Sequence, residues 1–297
     1  MGTTQTPIAA NAQRPERSAV SRKSRVRLAW TGWLGVGVVS FWVLMALFGP
    51  FLAPFHEAEM VADDSFLPID EQFWLGSDYL GRDTLSRIMW GARTTIGISV
   101  AATLLAYSAG ITLGIAAAVK GGWTDAALSR TNDAILAFPE LMLALIVIAA
   151  LGSSIPILIL ITAAVYAPGV FRLSRALGQD IMVQDFVEAA RARGEGVWWI
   201  ITREVLPNAA MPLATDFGFR VVFVILFISS LSFLGLGIQP PMADWGSMVR
   251  ENMQGLSYGA FSAIWPALAI ASLTISINLI VDDISAESSA GLAGKMA

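Results

Sequence analysis

The side chains that could do chemistry in this sequence are few, and their types exclude most reactions. There is no cysteine, which removes disulfides, thiolate metal sites and thiol nucleophiles. The single histidine, His56, supplies neither an imidazole metal cluster nor the base of a Ser-His-Asp triad. No G-x-x-x-x-G-K-[ST] phosphate loop occurs, and the nearest text, GLAGKM from Gly291, has the wrong spacing. Catalysis by the chain's own side chains is therefore not expected, nor is a cofactor or metal. What remains is charge and hydroxyl in unusual surroundings. Asp216 and Arg220 stand i, i+4 within an apolar stretch, and Thr95, Ser99 and Thr103 recur at the same spacing on one face of another. The densest charged text is EAARARGEGVWWIITREVLPN, from Glu188 to Asn208, set between two long apolar runs.

Composition says what must position these groups. The 297 residues are 55% hydrophobic and only 14% charged, against about 25% charged in soluble domains. So little charge cannot cover a water-facing surface, and the chain is expected to be an all-α integral membrane protein. The net charge of −4 argues against nucleic-acid binding, which calls for a basic face. A membrane span needs roughly 20 apolar residues. Six segments qualify, near 30–53, 92–119, 134–152, 155–174, 209–236 and 262–281. They form a transmembrane block over 30–285, flanked by a basic tail over 1–29, expected to be disordered, and a short tail over 286–297. The first apolar run is too long for a signal-peptide core and lacks a small-residue cleavage site, so it reads as an uncleaved span.

Basic residues set the orientation. With the N-terminus in the cytoplasm, the inner side holds the basic tail, Lys120, Arg130, Arg172, Arg175, Arg191, Arg193, Arg203 and Lys295. The outer side holds Arg82, Arg87, Arg93 and Arg250. An acidic extracytoplasmic loop then covers about 54–91, and the segment over about 175–208, between spans four and five, faces the cytoplasm.

Within that segment, Glu188 to Arg193 is helix-forming composition, Gly194 and Gly196 interrupt it, and Trp198 to Val205 resumes an apolar run. A short helix, a glycine turn and a second helix follow. One reading is an amphipathic helix lying on the membrane surface with Trp198 and Trp199 at the interface. The other is a docking element, in which small residues admit a partner surface and charges fix its register. The remaining polar positions also keep two readings. Thr95, Ser99 and Thr103 either line an aqueous path or pack against a neighbouring helix, the usual role of small residues in membranes. Asp216 and Arg220, near the cytoplasmic end of span five, form either a self-neutralising pair or a gate contact, since intramembrane charge is costly. Asn278 in span six is a weaker pathway candidate. Gly110 and Gly114 form a GxxxG pattern for close helix packing. Trp245, with Asp244 and Gly246, reads as an outer-loop structural element.

The spacing E-A-A, three residues, Gly, then a gap ending in Leu206-Pro207 resembles the loop signature of importer-type ABC transporter permeases. Three further blocks are similar to the peptide/nickel/opine branch, in its C-type subunit. They are LGSDYLGRDTLSRIMWGART (Leu75 to Thr94), FPELMLAL with the preceding Asp125, Arg130 and Asp133, and LSFLGLGIQPPMADWGSMV (Leu231 to Val249). The resemblance covers nearly all of the chain beyond residue 30. Departures are Glu204-Val205 in place of His-Ile, Ile228 where an acid is frequent, Pro168-Gly169 in span four, and a tail without Arg-Asp-Pro.

The resemblance implies a permease subunit of an ATP-driven importer in the bacterial inner membrane, with both termini cytoplasmic. Its coupling helix would carry Glu188, Ala189, Ala190 and Gly194 at the contact with a separate ATPase, and Leu206-Pro207 would end that element and start span five. Implied partners are a second permease subunit in a heterodimer, two cytoplasmic ATPase subunits that bind ATP and Mg, and an extracytoplasmic solute-binding protein. Peptides are the expected cargo; a nickel chelate or an opine is the alternative. A self-sufficient secondary transporter is the competing class. It would need its own ion site near the midplane and often an inverted repeat, and neither is evident.

Overall fold

The computed structural model describes the backbone of residues 29–296 and the side chains of residues 29–286. Apart from Ala29, the basic tail expected over 1–29 lies outside the described residues. The elements are α1 (Trp30–Leu52), α2 (Thr84–Lys120), α3 (Gly122–Leu136), α4 (Glu140–Leu151), α5 (Ile155–Met182), α6 (Asp185–Ala192), α7 (Val197–Ile200), α8 (Leu206–Phe233), α9 (Trp245–Asn252) and α10 (Ile264–Met296). A π-helical stretch, Ile201–Val205, joins α7 to α8, and a 3₁₀ turn, Met253–Tyr258, follows α9. The described residues contain no named strand, so the fold is all-α as expected.

α2 is the spine. Its start is fixed by Asp83, whose carboxylate accepts the Ser86 N–H at 2.8 Å, an N-terminal cap. Its end is fixed by Gly121 at φ +61°. α2 lies closely on α5 because it is cut back to glycine at the crossing. A Cβ on Gly110 would stand 2.6 Å from Val170 Cβ, and one on Gly114 would stand 2.7 Å from the Phe171 carbonyl. Around this pair a core forms from Ile98, Ala102, Ala106, Leu158, Ile161, Val165, Val224, Phe227, Ile228 and Leu231. Ile228 is fully buried there, so a carboxylate at this position would be enclosed by apolar walls in this chain. A second core gathers Ile88, Ala92, Ile225, Trp245, Met248 and Leu273.

Among the described residues, five helices are long and apolar enough to cross a membrane: α1, α2, α5, the continuous run Val197–Phe233, and Ile264–Ala286. The span expected over 134–152 is not a single helix. α3 and α4 are bent by 85° at a short break, and α4 has only 12 residues. Pro139 causes the break: it has no N–H to donate, its ring disfavours helical backbone in the residue before it, and its own ψ of 130° is extended. Gly152 at φ +87° then turns the chain into α5. The bundle thus has two ends. One carries α6 with the ends of α2 and α5; the other carries residues 53–83, the Gly152 turn and α9.

Candidate functional site

α6 is a short helix whose two faces differ. Asp185 and Glu188 lie in its first turn and Arg191 in its last, each sign favourable to the helix dipole. Val187 and Ala190 are fully buried and pack with Ile115, Ile200 and Val205. Glu188, Ala189, Arg191, Ala192 and Arg193 are exposed. Gly194 closes the helix at φ +85°, with its N–H on the Arg191 carbonyl at 2.9 Å and the Glu195 N–H on the Ala190 carbonyl at 3.2 Å. This is the left-handed glycine stop that helix ends favour. No atom lies within 4 Å of where a Gly194 side chain would begin, so this face is open.

Two expectations for the segment change. Ala190 does not share the outward face with Ala189. Three residues from Val187 on a 3.6-residue helix, it turns inward and lets α6 sit close to α2. Leu206-Pro207 does open α8 as expected, but no break precedes it, because the helical run from Val197 to Phe233 is continuous. The wider π turn over Ile201–Val205 carries the chain past Pro207, whose missing N–H cannot serve an ordinary α-helical bond. Asn208 Nδ2 covers the Glu204 carbonyl at 2.7 Å. Leu206 is half-buried and Pro207 exposed.

The polar positions of the spans separate into two groups. Thr95, Ser99 and Thr103 are fully buried. Thr95 donates to Asp244 at 2.8 Å and accepts the Trp245 N–H at 3.2 Å, while Thr103 donates to the Ser99 carbonyl at 2.8 Å. These hydroxyls sit inside the helix packing. Asp216 and Arg220 pair at 3.2 Å, and the Tyr107 hydroxyl of α2 donates to Asp216. The Arg220 guanidinium lies 6.0 Å from the Tyr166 ring centre and directly against Gly169 of α5. This pair is not near a helix end: Arg220 is 14 residues from Leu206 (220 − 206) and 13 from Phe233 (233 − 220). The span begins earlier than its apolar text, and that moves the pair to mid-helix. Asn278 is half-buried on α10, and no hydrogen bond joins it to this group.

Sequence reasoning did not identify a charged cluster at the opposite end. Asp78 and Arg87 are fully buried and Arg82 nearly so. Arg82 Nε meets Asp78 at 2.7 Å, Arg87 Nη1 meets Asp78 at 2.5 Å, and both guanidinium groups reach Glu251 at 3.2 Å. The cluster ties the segment before α2 to α9. Beside it Asp244 caps α9, accepting the Ser247 N–H at 3.0 Å. Burial pushes the Asp244 carboxyl above its ordinary range, against the opposing effect of hydrogen bonds from Ser247 and Thr95. The available signal was an arginine within an apolar helix, four residues after an Arg-Asp pair. At the α6 end, Arg175 grips Asp125 through two nitrogens and Arg172 meets Asp133 at 2.8 Å, which straps α3 to α5.

Long apolar helices around close-packed glycines, with a charged helix left open at an end, define a multi-spanning helical membrane protein. Comparison with known proteins gives the family. Residues 110–286 match the binding-protein-dependent transport system inner membrane component family. The chain is 31% identical over 268 residues to the dipeptide transport system permease protein DppC of Alkalihalophilus pseudofirmus, covering 90% of this chain and 87% of that one. It is 36% identical over 209 residues to the glutathione transport system permease protein GsiD of Pectobacterium atrosepticum, covering 70% and 69%. To the GsiD of Escherichia coli O6:K15:H31 it is 35% identical over 242 residues, covering 81% and 80%. The chain belongs to the binding-protein-dependent transport system inner membrane component family and is a transport permease.

Proposed function

We propose that this permease forms half of the translocation path of an ATP-driven peptide importer, and that α6 with its Gly194 turn is the surface on which a separate ATPase acts. One observation carries the reading: α6 is anchored inward by Val187 and Ala190 and presents Glu188, Ala189 and an open glycine turn outward. A helix held in this way transmits force as a rigid body, because displacing it moves the buried contacts with α2 and the helix that runs from Val197 into α8. Two ATPase subunits closing on ATP and Mg would shift α6 here and its counterpart on a second permease subunit, and so rotate the spans between inward- and outward-open arrangements. The α6 end then faces the cytoplasm of a bacterial inner membrane, with both termini on that side. The 53–83 segment and α9 face the solute-binding protein. Peptide cargo follows from the named substrates of the dipeptide and glutathione relatives.

The test is gentle-detergent purification of the chain from its native membranes, with co-eluting proteins identified by mass spectrometry. An ATPase and a second permease are expected to co-elute, and to be lost when Ala189→Trp fills the outward face. Elution of the chain alone, from membranes in which it still moves peptide, overturns the reading in favour of a secondary transporter.

A further inference from the structure

The Arg220 site has a geometry that transport in general does not require. Glu140 and Tyr166 each stand 11 residues from the turn that joins α4 to α5 (151 − 140 and 166 − 155), roughly 16 Å along a helix. That is about half the thickness of a ~30 Å hydrocarbon layer. Arg220, 13 residues from the same end of its own helix, lies ~20 Å along it. The break between α3 and α4 is at this depth too, and Phe138, Pro139 and Glu140 are all exposed on it. Non-helical backbone at membrane depth persists only inside protein or beside water, and a charged pair there does not face lipid. The exposed edge of this site is therefore turned toward a partner subunit or an aqueous path.

Arg220 is held for a further acceptor. Both of its hydrogen bonds to Asp216 run from Nη2, which leaves Nη1, lying against Gly169, clear of that carboxylate; Nε is enclosed away from any ligand. A Cβ on Gly169 would stand 2.7 Å from Nη1 and 3.0 Å from Nη2. Gly169, inside the continuous helix α5, thus makes the recess in which the guanidinium lies. Asp216 neutralises the cation when nothing else does, and Tyr107 holds Asp216. The Tyr166 ring, 6.0 Å from the Arg220 guanidinium, stands beside the same recess.

We propose that Arg220 is a carboxylate-binding position for the peptide in transit, its planar fork taking two carboxylate oxygens where a lysine would offer a point charge. This rests on the peptide-importer reading above. The chain has no cysteine, so Arg220→Cys gives a single addressable thiol in this subunit. The complete transporter, reconstituted in liposomes with its binding protein and ATP, is assayed for uptake of labelled trialanine. Wild-type assemblies that contain the ATPase but move no peptide would refute the importer reading itself.

With active wild type, Arg220→Cys is expected to lower uptake at least tenfold while the subunits stay assembled. An aminoethyl methanethiosulfonate adduct, which restores a cation, is expected to recover several-fold of the loss, and a neutral methyl adduct none of it. Unchanged uptake in Arg220→Cys, equal recovery with both adducts, or recovery with neither overturns the proposal. The two carboxylate sources are separated with Ala-Ala-Glu amide as the probe: cation-dependent uptake of this peptide assigns side-chain carboxylates to Arg220, and uptake indifferent to the adduct assigns the C-terminus.

Discussion

Gly91 of α2 and Trp245 of α9 occupy one another's space: a Cβ on Gly91 would lie 2.9 Å from Trp245 Cδ1. The indole is fully buried, donates its N–H to the Ile88 carbonyl at 3.1 Å and meets the Trp42 ring edge-on at 4.8 Å between centres. One side chain thus pins α9 to both α1 and α2. Trp245→Ala is expected to cost ~3–5 kcal/mol, the usual range for truncating a large buried aromatic. Trp245→Phe is expected to cost less, because it keeps most of the packing. Gly91→Leu should resemble the alanine variant, since the glycine is what admits the ring. Thermal melting in detergent checks the order, and a Trp245→Ala variant that melts with wild type would refute the anchor.

The buried cluster of Asp78, Arg82, Arg87 and Glu251 predicts a non-additive pair. Arg87→Met leaves Asp78 and Glu251 enclosed with only Arg82 opposite them, and breaking a buried ion pair from one side typically costs ~3–5 kcal/mol. Asp78→Asn strands both guanidinium groups against Glu251 alone. The double variant removes one charge of each sign and should be more stable than the sum of the two losses implies. A strictly additive melting-temperature cycle would show that Arg87 and Asp78 do not act as a pair.

Asp244 predicts a pH dependence. Its carboxyl is raised above the ordinary 3.8 by burial, so the folded chain holds this proton more tightly than the unfolded chain. Stability from this group is fully present below about 3.8 and declines as pH rises toward the raised folded value. It is flat beyond that point. Asp244→Asn removes the titration while keeping an acceptor for the Ser247 N–H. Melting temperatures followed upward from pH 4 should fall more steeply in wild type than in Asp244→Asn. Parallel curves would mean that Asp244 is not the group responsible.

Much of this was legible in the text because membrane spans announce themselves by length and polarity. The short helix, glycine turn and second helix over residues 185–205 followed from helix-forming residues stopped by Gly194. Gly110 and Gly114 announced a close helix contact by their spacing, though not that α5 makes it. The failures have physical causes. An apolar run long enough for a third span was broken by Pro139, whose effect on the preceding turn outweighs hydrophobicity. Leu206-Pro207 looked like a boundary because proline usually is one, yet a π turn carries the helix through it. The mid-helix setting of Asp216 and Arg220 was missed because the apolar text starts later than the helix. Pairings such as Arg87 with Glu251, or Tyr107 with Asp216, join residues more than a hundred positions apart, and no local spacing encodes them.

The last prediction separates the two faces of α6. Ala189 is exposed and Ala190 fully buried, although they are adjacent and identical in type. Ala190→Trp must push α6 off Ile115 and Val205, and overpacking of this kind costs ~1–3 kcal/mol or more. It should lower the melting temperature of the isolated subunit. Ala189→Trp adds its ring on the open side and should leave melting unchanged while abolishing peptide-stimulated ATPase activity in the assembled transporter. Gly194→Ala meets no atom, yet its φ of +85° penalises any Cβ, so a loss of ~1 kcal/mol is expected. Melting of the subunit and ATPase activity of the assembly are read on the same preparations. If Ala189→Trp lowers melting as Ala190→Trp does, or leaves stimulated ATPase activity intact, the outward face of α6 is not the coupling surface.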